Sequence, residues 1–219
     1  MSRWQKEKEL VLSTARDMVI RGLVIGTSGN VSMRLGQSGE ELLAITPTSL
    51  PYHTLSPDDI QVVDFSGRSI EGSLAPSMET NLHIGIYQSR PDVNAVIHTH
   101  SVFASAAAVL SHEIPPILDE QVSFLGGSIR CARYGLSGSQ ELADAVLAAL
   151  GDRSAALLRN HGAIGTGRNL PDAMTACELL EKTARIYLMV CSAGTVTTLP
   201  ENAVKHWADY YRNRRENSA

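Results

Sequence analysis

Two histidines separated by one residue, His98 and His100 in Val96-Ile97-His98-Thr99-His100-Ser101, are where this chain first reads as chemically competent. Side chains alternate along a strand, so both imidazoles point one way with Thr99 opposite, and neutral imidazole nitrogen is a preferred ligand of a divalent metal such as Zn2+. Two ligands do not complete a site. A third imidazole stands in Arg159-Asn160-His161-Gly162, again an apolar run followed by a turn, and a carboxylate, Glu79, stands at the head of an amphipathic segment. Taken singly, each is as well explained as a hydrogen-bonded packing residue, the reading given to His53, His83, His112 and His206. Together, His98, His100, His161 and Glu79 predict a metal site.

Three loops offer anion chemistry beside it. In Ile25-Gly26-Thr27-Ser28-Gly29-Asn30-Val31-Ser32 two glycines let backbone amides converge on an anion and Asn30 adds a side-chain donor, although an ordinary glycine-rich turn is the commoner use of such a pattern. Ile45-Thr46-Pro47-Thr48-Ser49 and Ala75-Pro76-Ser77-Met78-Glu79 carry hydroxyls, and the second opens a helix whose positive end favours anions. If all three loops converge near the metal, they form a phosphate pocket.

The elements that must position these groups read as a mixed α/β fold. A helix over about 3–21 stops at Gly22, and short strands follow at Val31–Leu35, Glu41–Ile45, Gln61–Asp64 and Ser69–Glu71, the last two joined by a turn at Phe65–Arg68. Ser77 is the expected N-cap of a helix running to Ser89, with Glu79 in its first turn. The strand Asn94–His98 leads into an Ala-rich helix, Val102–Leu110, before Pro115-Pro116 breaks the chain. Strands at Ser128–Ala132, Ala155–Leu158 and Ala163–Thr166 then alternate with helices at Gln140–Leu150, Pro171–Cys191 and Ala203–Arg214. Nothing divides the chain, so residues 1–219 are expected to form one domain, a central mixed sheet sandwiched by helices.

Composition narrows the function class. With 43% hydrophobic and 19% charged residues the chain is neither disordered nor membrane-like, and its charged start lacks an apolar signal core, so a cytoplasmic protein is expected. Three cysteines, with no C-x-x-C pair, argue against a disulfide framework or a thiolate metal site. A net charge of -4 leaves no electrostatic footprint for nucleic acid.

The segments G-T-S-G-N-V-S at 26–32, I-T-P-T at 45–48, P-S-x-E at 76–79, Y-Q-S-R-P-D-V-N-A-V-I-H-T-H-S at 87–101 and N-H-G at 160–162 occur in one order along nearly the whole chain. In this the sequence resembles the class II aldolase/adducin family. The resemblance implies an αβα sandwich, zinc or a similar divalent ion held by His98, His100 and His161, and Glu79 as a metal-proximal acid/base. It implies phosphate binding at Gly29, Asn30, Thr48, Ser49, Ser77 and Met78. It also implies a cyclic homotetramer with sites at subunit boundaries.

The expected activity is cleavage of a ketose 1-phosphate, such as L-fuculose 1-phosphate, to dihydroxyacetone phosphate and an aldehyde. That reaction leaves an enediolate which a Lewis-acidic metal stabilises, so no Schiff-base lysine is required. Three departures from the aldolase pattern stand out. The usual T-G is Thr48-Ser49, the usual S-S-E is Ser77-Met78-Glu79, and Asp119 stands near where a tyrosine serves the aldehyde oxygen. A second functional tyrosine of the family falls near Tyr210 or Tyr211, where helix packing explains an aromatic equally well. The rival readings are a pentulose-phosphate 4-epimerase or a decarboxylase on the same metal site, and a non-catalytic adducin-like module. The epimerases usually carry Asp at the positions of Glu79 and near Ser123, and a scaffold has no need of a complete metal set.

Overall fold

The computed structural model describes residues 3–36, 41–110 and 112–216. The first helix, α1 (Gln5–Ile20), buries Val11, Leu12, Ala15 and Met18, spaced as the period of a helix requires. An antiparallel meander follows, made of β1 (Asn30–Leu35), β2 (Leu42–Ile45), β3 (Gln61–Asp64) and β4 (Ser69–Glu71). The β3–β4 turn is closed by Asp64, whose Oδ1 accepts from the backbone N–H groups of Ser66 and Arg68 at 2.9 and 3.0 Å.

The rest alternates strands and helices: α2 (Thr80–Ser89), β5 (Ala95–Thr99), α3 (Val102–Leu110), β6 (Cys131–Ala132), α4 (Gln140–Leu150), β7 (Ala155–Leu158), β8 (Gly162–Gly167), α5 (Leu170–Ala193) and α6 (Glu201–Glu216). The described strands form one eight-stranded sheet in the order β4-β3-β2-β1-β5-β8-β7-β6, with only β6 and β7 parallel. Strand alternation then sorts the core. Leu43, Val63, Val96, Ala156 and Ile164 pack against α2 and α4 on one face. Val31, Ala44, Val62, Ala95 and Ile97 pack against α1 and α5 on the other, joined by a cluster from α3, β7 and α5. Each fully buried Leu or Ile contributes about 1.5–3 kcal/mol. No helix among the described residues is long and apolar enough to cross a membrane.

Some expectations shift. Ser77 does not cap α2; it heads a tight turn in which its Oγ accepts from Glu79 N–H at 3.3 Å and its carbonyl takes Thr80 Oγ1–H at 2.6 Å. Glu79 therefore occupies the N-cap position, with a side chain that makes no capping bond and is free for the site. The strand expected at Ser128–Ala132 shrinks to Cys131–Ala132, with Ile129 only bridging Ile114. A π-helical turn, Gln121–Leu125, has no strong sequence signal. Its buried Gln121 amide donates to the carbonyls of Pro115 (3.0 Å) and Gly127 (3.1 Å) and accepts from Ile117 N–H (2.9 Å), replacing bonds that an ordinary helix would make.

Candidate metal centre and active site

Antiparallel pairing brings the start of β1, the end of β5 and the start of β8 to one edge of the sheet, where Asn30 pairs with His98 and Thr99 with Ala163. His98 has the parity of Val96, so it faces the side of α2 and Glu79. Its Nδ1 lies 2.9 Å from the carbonyl of Ala163, a contact that takes the Nδ1 proton and turns Nε2 toward the other imidazoles. That Nε2 sits 2.8 Å from Nε2 of His100. One ring nitrogen from each of His98, His100 and His161 lies within 4.8 Å of the other two. Three convergent imidazoles with a lone pair turned inward suit a divalent ion.

The N-H-G triplet has a physical reason at each position. Asn160 takes the left-handed conformation (φ 55°) that Asn tolerates, and His161 N–H closes the turn on Leu158 O at 3.0 Å. Gly162 is required by close approach, since a Cβ there would stand 2.2 Å from the carbonyl of Thr99 and 3.1 Å from His100 Cδ2. On the other side of His100 the start of α3 is tied to α5, where Glu181 accepts from the backbone N–H groups of Phe103 and Ala104 at 3.0 and 2.7 Å. A carboxylate on a neighbouring helix thus fills the capping role.

Glu79 is buried among these rings. Its Oε2 is 3.2 Å from His98 Nε2 and its Oε1 3.4 Å from His161 Nε2. Asn30 Nδ2 donates to Oε2 at 3.0 Å and Ser137 Oγ to Oε1 at 2.8 Å. Burial alone would raise its pKa, but the fields of His98 and His161 and the two hydrogen bonds outweigh it and hold the carboxyl at about 2. Burial, then His98 and His161, lower His100 to about 4, against the pull of Glu79; His161 is lowered by burial and His98. One turn on, burial holds His83 at about 3, with its Nδ1 2.7 Å from Ser32 Oγ.

The three loops do converge. A pocket of about 110 Å³ beside the histidines is lined by Thr27, Ser28, Gly29 and Asn30, by Pro47, Thr48 and Ser49, and by Ser77, Met78 and Glu79. Thr48 N–H donates to Ala75 O (3.0 Å) and Ser77 N–H to Thr46 O (3.1 Å), stitching two loops together. Tyr52 OH braces the third through Gly29 O at 2.6 Å. Ser49 adopts a left-handed backbone (φ 56°), a conformation suited to the glycine of the family pattern. Met78 reaches the mouth 65% exposed.

Asp119, Tyr210 and Tyr211 do not line this pocket. Asp119 is exposed before the π-turn, and Tyr210 is 48% exposed with its ring against Trp207. Tyr211 is buried elsewhere, its hydroxyl bonded to Ser154 Oγ and Asp152 O, both at 2.9 Å. Ser137 does line the pocket, and sequence reading overlooked it. It lies in Gly135-Leu136-Ser137-Gly138-Ser139, which by residue type is only a turn before a helix.

Residues 9–188 match the family described as class II aldolase and adducin N-terminal domain. The chain belongs to that family and is an enzyme of its aldolase class, a carbon–carbon lyase. It is similar to the 5-deoxy-D-ribulose 1-phosphate aldolase of Bacillus thuringiensis serovar kurstaki, at 38% identity over 204 residues covering 93% of this chain and 94% of that one. The L-fuculose phosphate aldolase of Escherichia coli is 41% identical over 178 residues, 81% of this chain and 80% of the relative. A solved L-fuculose 1-phosphate aldolase superposes with a TM-score of 0.90 at 31% identity, over 97% of this chain and 98% of that structure.

Proposed function

We propose that the enzyme cleaves a deoxy-ketose 1-phosphate to dihydroxyacetone phosphate and a short aldehyde, using zinc or a similar divalent ion. The observation that carries this reading is the placement of the Glu79 carboxylate, 3.2 and 3.4 Å from two imidazoles and on the wall of a pocket built from three amide- and hydroxyl-rich loops. His98, His100 and His161 would hold the ion, and the all-imidazole donor set favours zinc. When bound, it supplies Lewis-acid stabilisation of the negative charge that gathers on the ketone oxygens.

The chain's own residues do the rest. In condensation the Glu79 carboxylate removes a proton from the carbon beside the ketone, and in cleavage, once it has taken up a proton, it returns one to the carbon that the aldehyde leaves. Asn30 and Ser137 hold the carboxylate. Gly29, Asn30, Thr48, Ser49, Ser77 and the backbone of Met78 take the phosphate, and binding so far from the reacting carbons orients them. The hydroxyl that becomes the aldehyde oxygen gives up its proton in cleavage and regains it in condensation, which needs a second acid/base group. Asp119 and Tyr210, both exposed, are the candidates a neighbouring subunit's pocket would receive in a homotetramer; Tyr211 is already committed to Ser154 and Asp152. A phosphorylated substrate supports a cytoplasmic enzyme, and one continuous sheet supports residues 1–219 as one domain.

The 5-deoxy-D-ribulose 1-phosphate aldolase relative covers nearly all of both chains, and exposed Met78 on the pocket wall offers apolar surface for a terminal methyl. The test is a panel of 5-deoxyribulose 1-phosphate, L-fuculose 1-phosphate and their free sugars, with coupled detection of dihydroxyacetone phosphate. Cleavage of a phosphorylated member, lost on chelation and restored by zinc, is expected, with 5-deoxyribulose 1-phosphate preferred. Equal turnover of the free sugars would remove the phosphate assignment, and full activity after chelation the metal one.

A further inference from the structure

Glu79 is held from two sides by unlike donors. Asn30 is a buried residue of β1, whereas Ser137 is exposed on the loop between β6 and α4 and reaches in from the pocket side. We propose that Ser137 is a positioning residue for proton transfer by Glu79, fixing the plane of the carboxylate; this rests on the reading of Glu79 as acid/base.

The argument is one of torsions. The last torsion of a glutamate side chain is broad and roughly two-fold, so its plane is set by what each oxygen meets: Asn30 bonds Oε2 at 3.0 Å with His98 3.2 Å away, whereas His161 approaches Oε1 only at 3.4 Å. The Ser137 bond at 2.8 Å to Oε1 is the shortest of these contacts, and it narrows the torsion and sets which lone pairs face the pocket. The loop is shaped to deliver it. Ser139 N–H turns back to Leu136 O at 2.9 Å, and Ser139 Oγ caps α4 by accepting from Leu142 N–H at 3.1 Å. Gly138 has a φ of +80°, and a Cβ there would come 3.0 Å from the carbonyl of Met78, so the loop rests on the residue just before Glu79. The tip is otherwise loosely packed, with Leu136 68% exposed. Removing the hydroxyl therefore opens no core cavity.

The experiment compares wild type, Ser137→Ala, Ser137→Thr, Glu79→Gln and the Ser137→Ala/Glu79→Gln double variant, all zinc-loaded, on the phosphorylated ketose that wild type cleaves. Ser137→Ala is expected to lower kcat by about tenfold or more with KM within about threefold, and to leave Tm and zinc content unchanged. Ser137→Thr, which keeps the hydroxyl, should stay within about threefold of wild type, and Ser137→Ala should add nothing once Glu79 is Gln. The proposal falls if Ser137→Ala keeps kcat within about twofold, if Ser137→Thr loses as much as Ser137→Ala, or if the two losses multiply in the double variant. A Glu79→Gln enzyme at the wild-type rate would instead overturn the acid/base reading, and this proposal with it.

Discussion

Two clusters of ionisable side chains can be compared in this molecule, and they differ in whether open space adjoins them. Beneath α6, Arg90 binds Asp92 through Nε and Nη2, both at 2.9 Å, and spends Nη1 on the carbonyl of Arg153 at 3.1 Å. Arg215 reaches Asp92, Asp152 O and the Tyr211 hydroxyl. The space left beside them is only about 30 Å³. At the other cluster imidazole nitrogens face one another and a carboxylate, and the adjoining pocket is about 110 Å³. Both contain a carboxyl held at about 2. A displaced pKa therefore does not separate a tether from a reactive centre, whereas convergent ligand atoms beside an open pocket do.

That contrast can be broken most forcefully at the histidines. The His98→Ala/His100→Ala variant should lose bound zinc, measured by elemental analysis, and with it more than about a thousandfold in activity. Undiminished zinc would make the imidazole cluster as structural as the arginine one. Next in size, Glu79→Gln should keep zinc and fold but lose about 10²- to 10⁴-fold in kcat, and a loss under about threefold would place the proton transfer elsewhere.

On the tether side the effects are smaller and fall on stability. Arg215→Ala should cost about 1–2 kcal/mol in urea unfolding while leaving kcat and KM in place; a large loss of activity would show that this cluster also serves the reaction. The smallest effect concerns Asp92. Burial raises its pKa, but Arg90 and Arg215 pull it further down, to about 2 in the folded chain. A depressed carboxyl stabilises the fold above its unfolded pKa and loses that contribution as pH falls toward the folded value. Wild type should therefore lose more Tm than Asp92→Asn between about pH 4 and pH 2. Parallel profiles would show that α6 is held by packing alone.

Much of the scaffold was legible because each element carries its period within a few residues. The four strands of the meander, the Ala-rich helix after His100 and the strand before His161 lie within a residue or two of their expected bounds. The imidazole set was legible too, since H-x-H on a strand and a His in a turn are local patterns. What escaped depends on contacts distant in sequence. The π-turn exists because Gln121 finds Pro115 and Gly127, and Ser137 matters because its loop folds back on Met78, 60 residues earlier by number. Ser77 was misread as a cap because its hydroxyl serves a turn one step before the helix. Asp119 and Tyr210 were placed by family position alone, and a single chain leaves both outside the pocket.

The exposed ring of residues at the pocket mouth has an evolutionary consequence. Met78, on the pocket wall, and Leu136, next to pocket-lining Ser137, contribute little to the core, whereas the metal-side groups are locked by strand pairing, by the tight seat of Gly162 and by the Glu181 tether. Substitutions at the mouth can drift at small thermodynamic cost, while those at the base are purged. Such a division lets a lineage exchange one aldehyde for another by a few changes on two turns, with the bond-breaking machinery inherited intact.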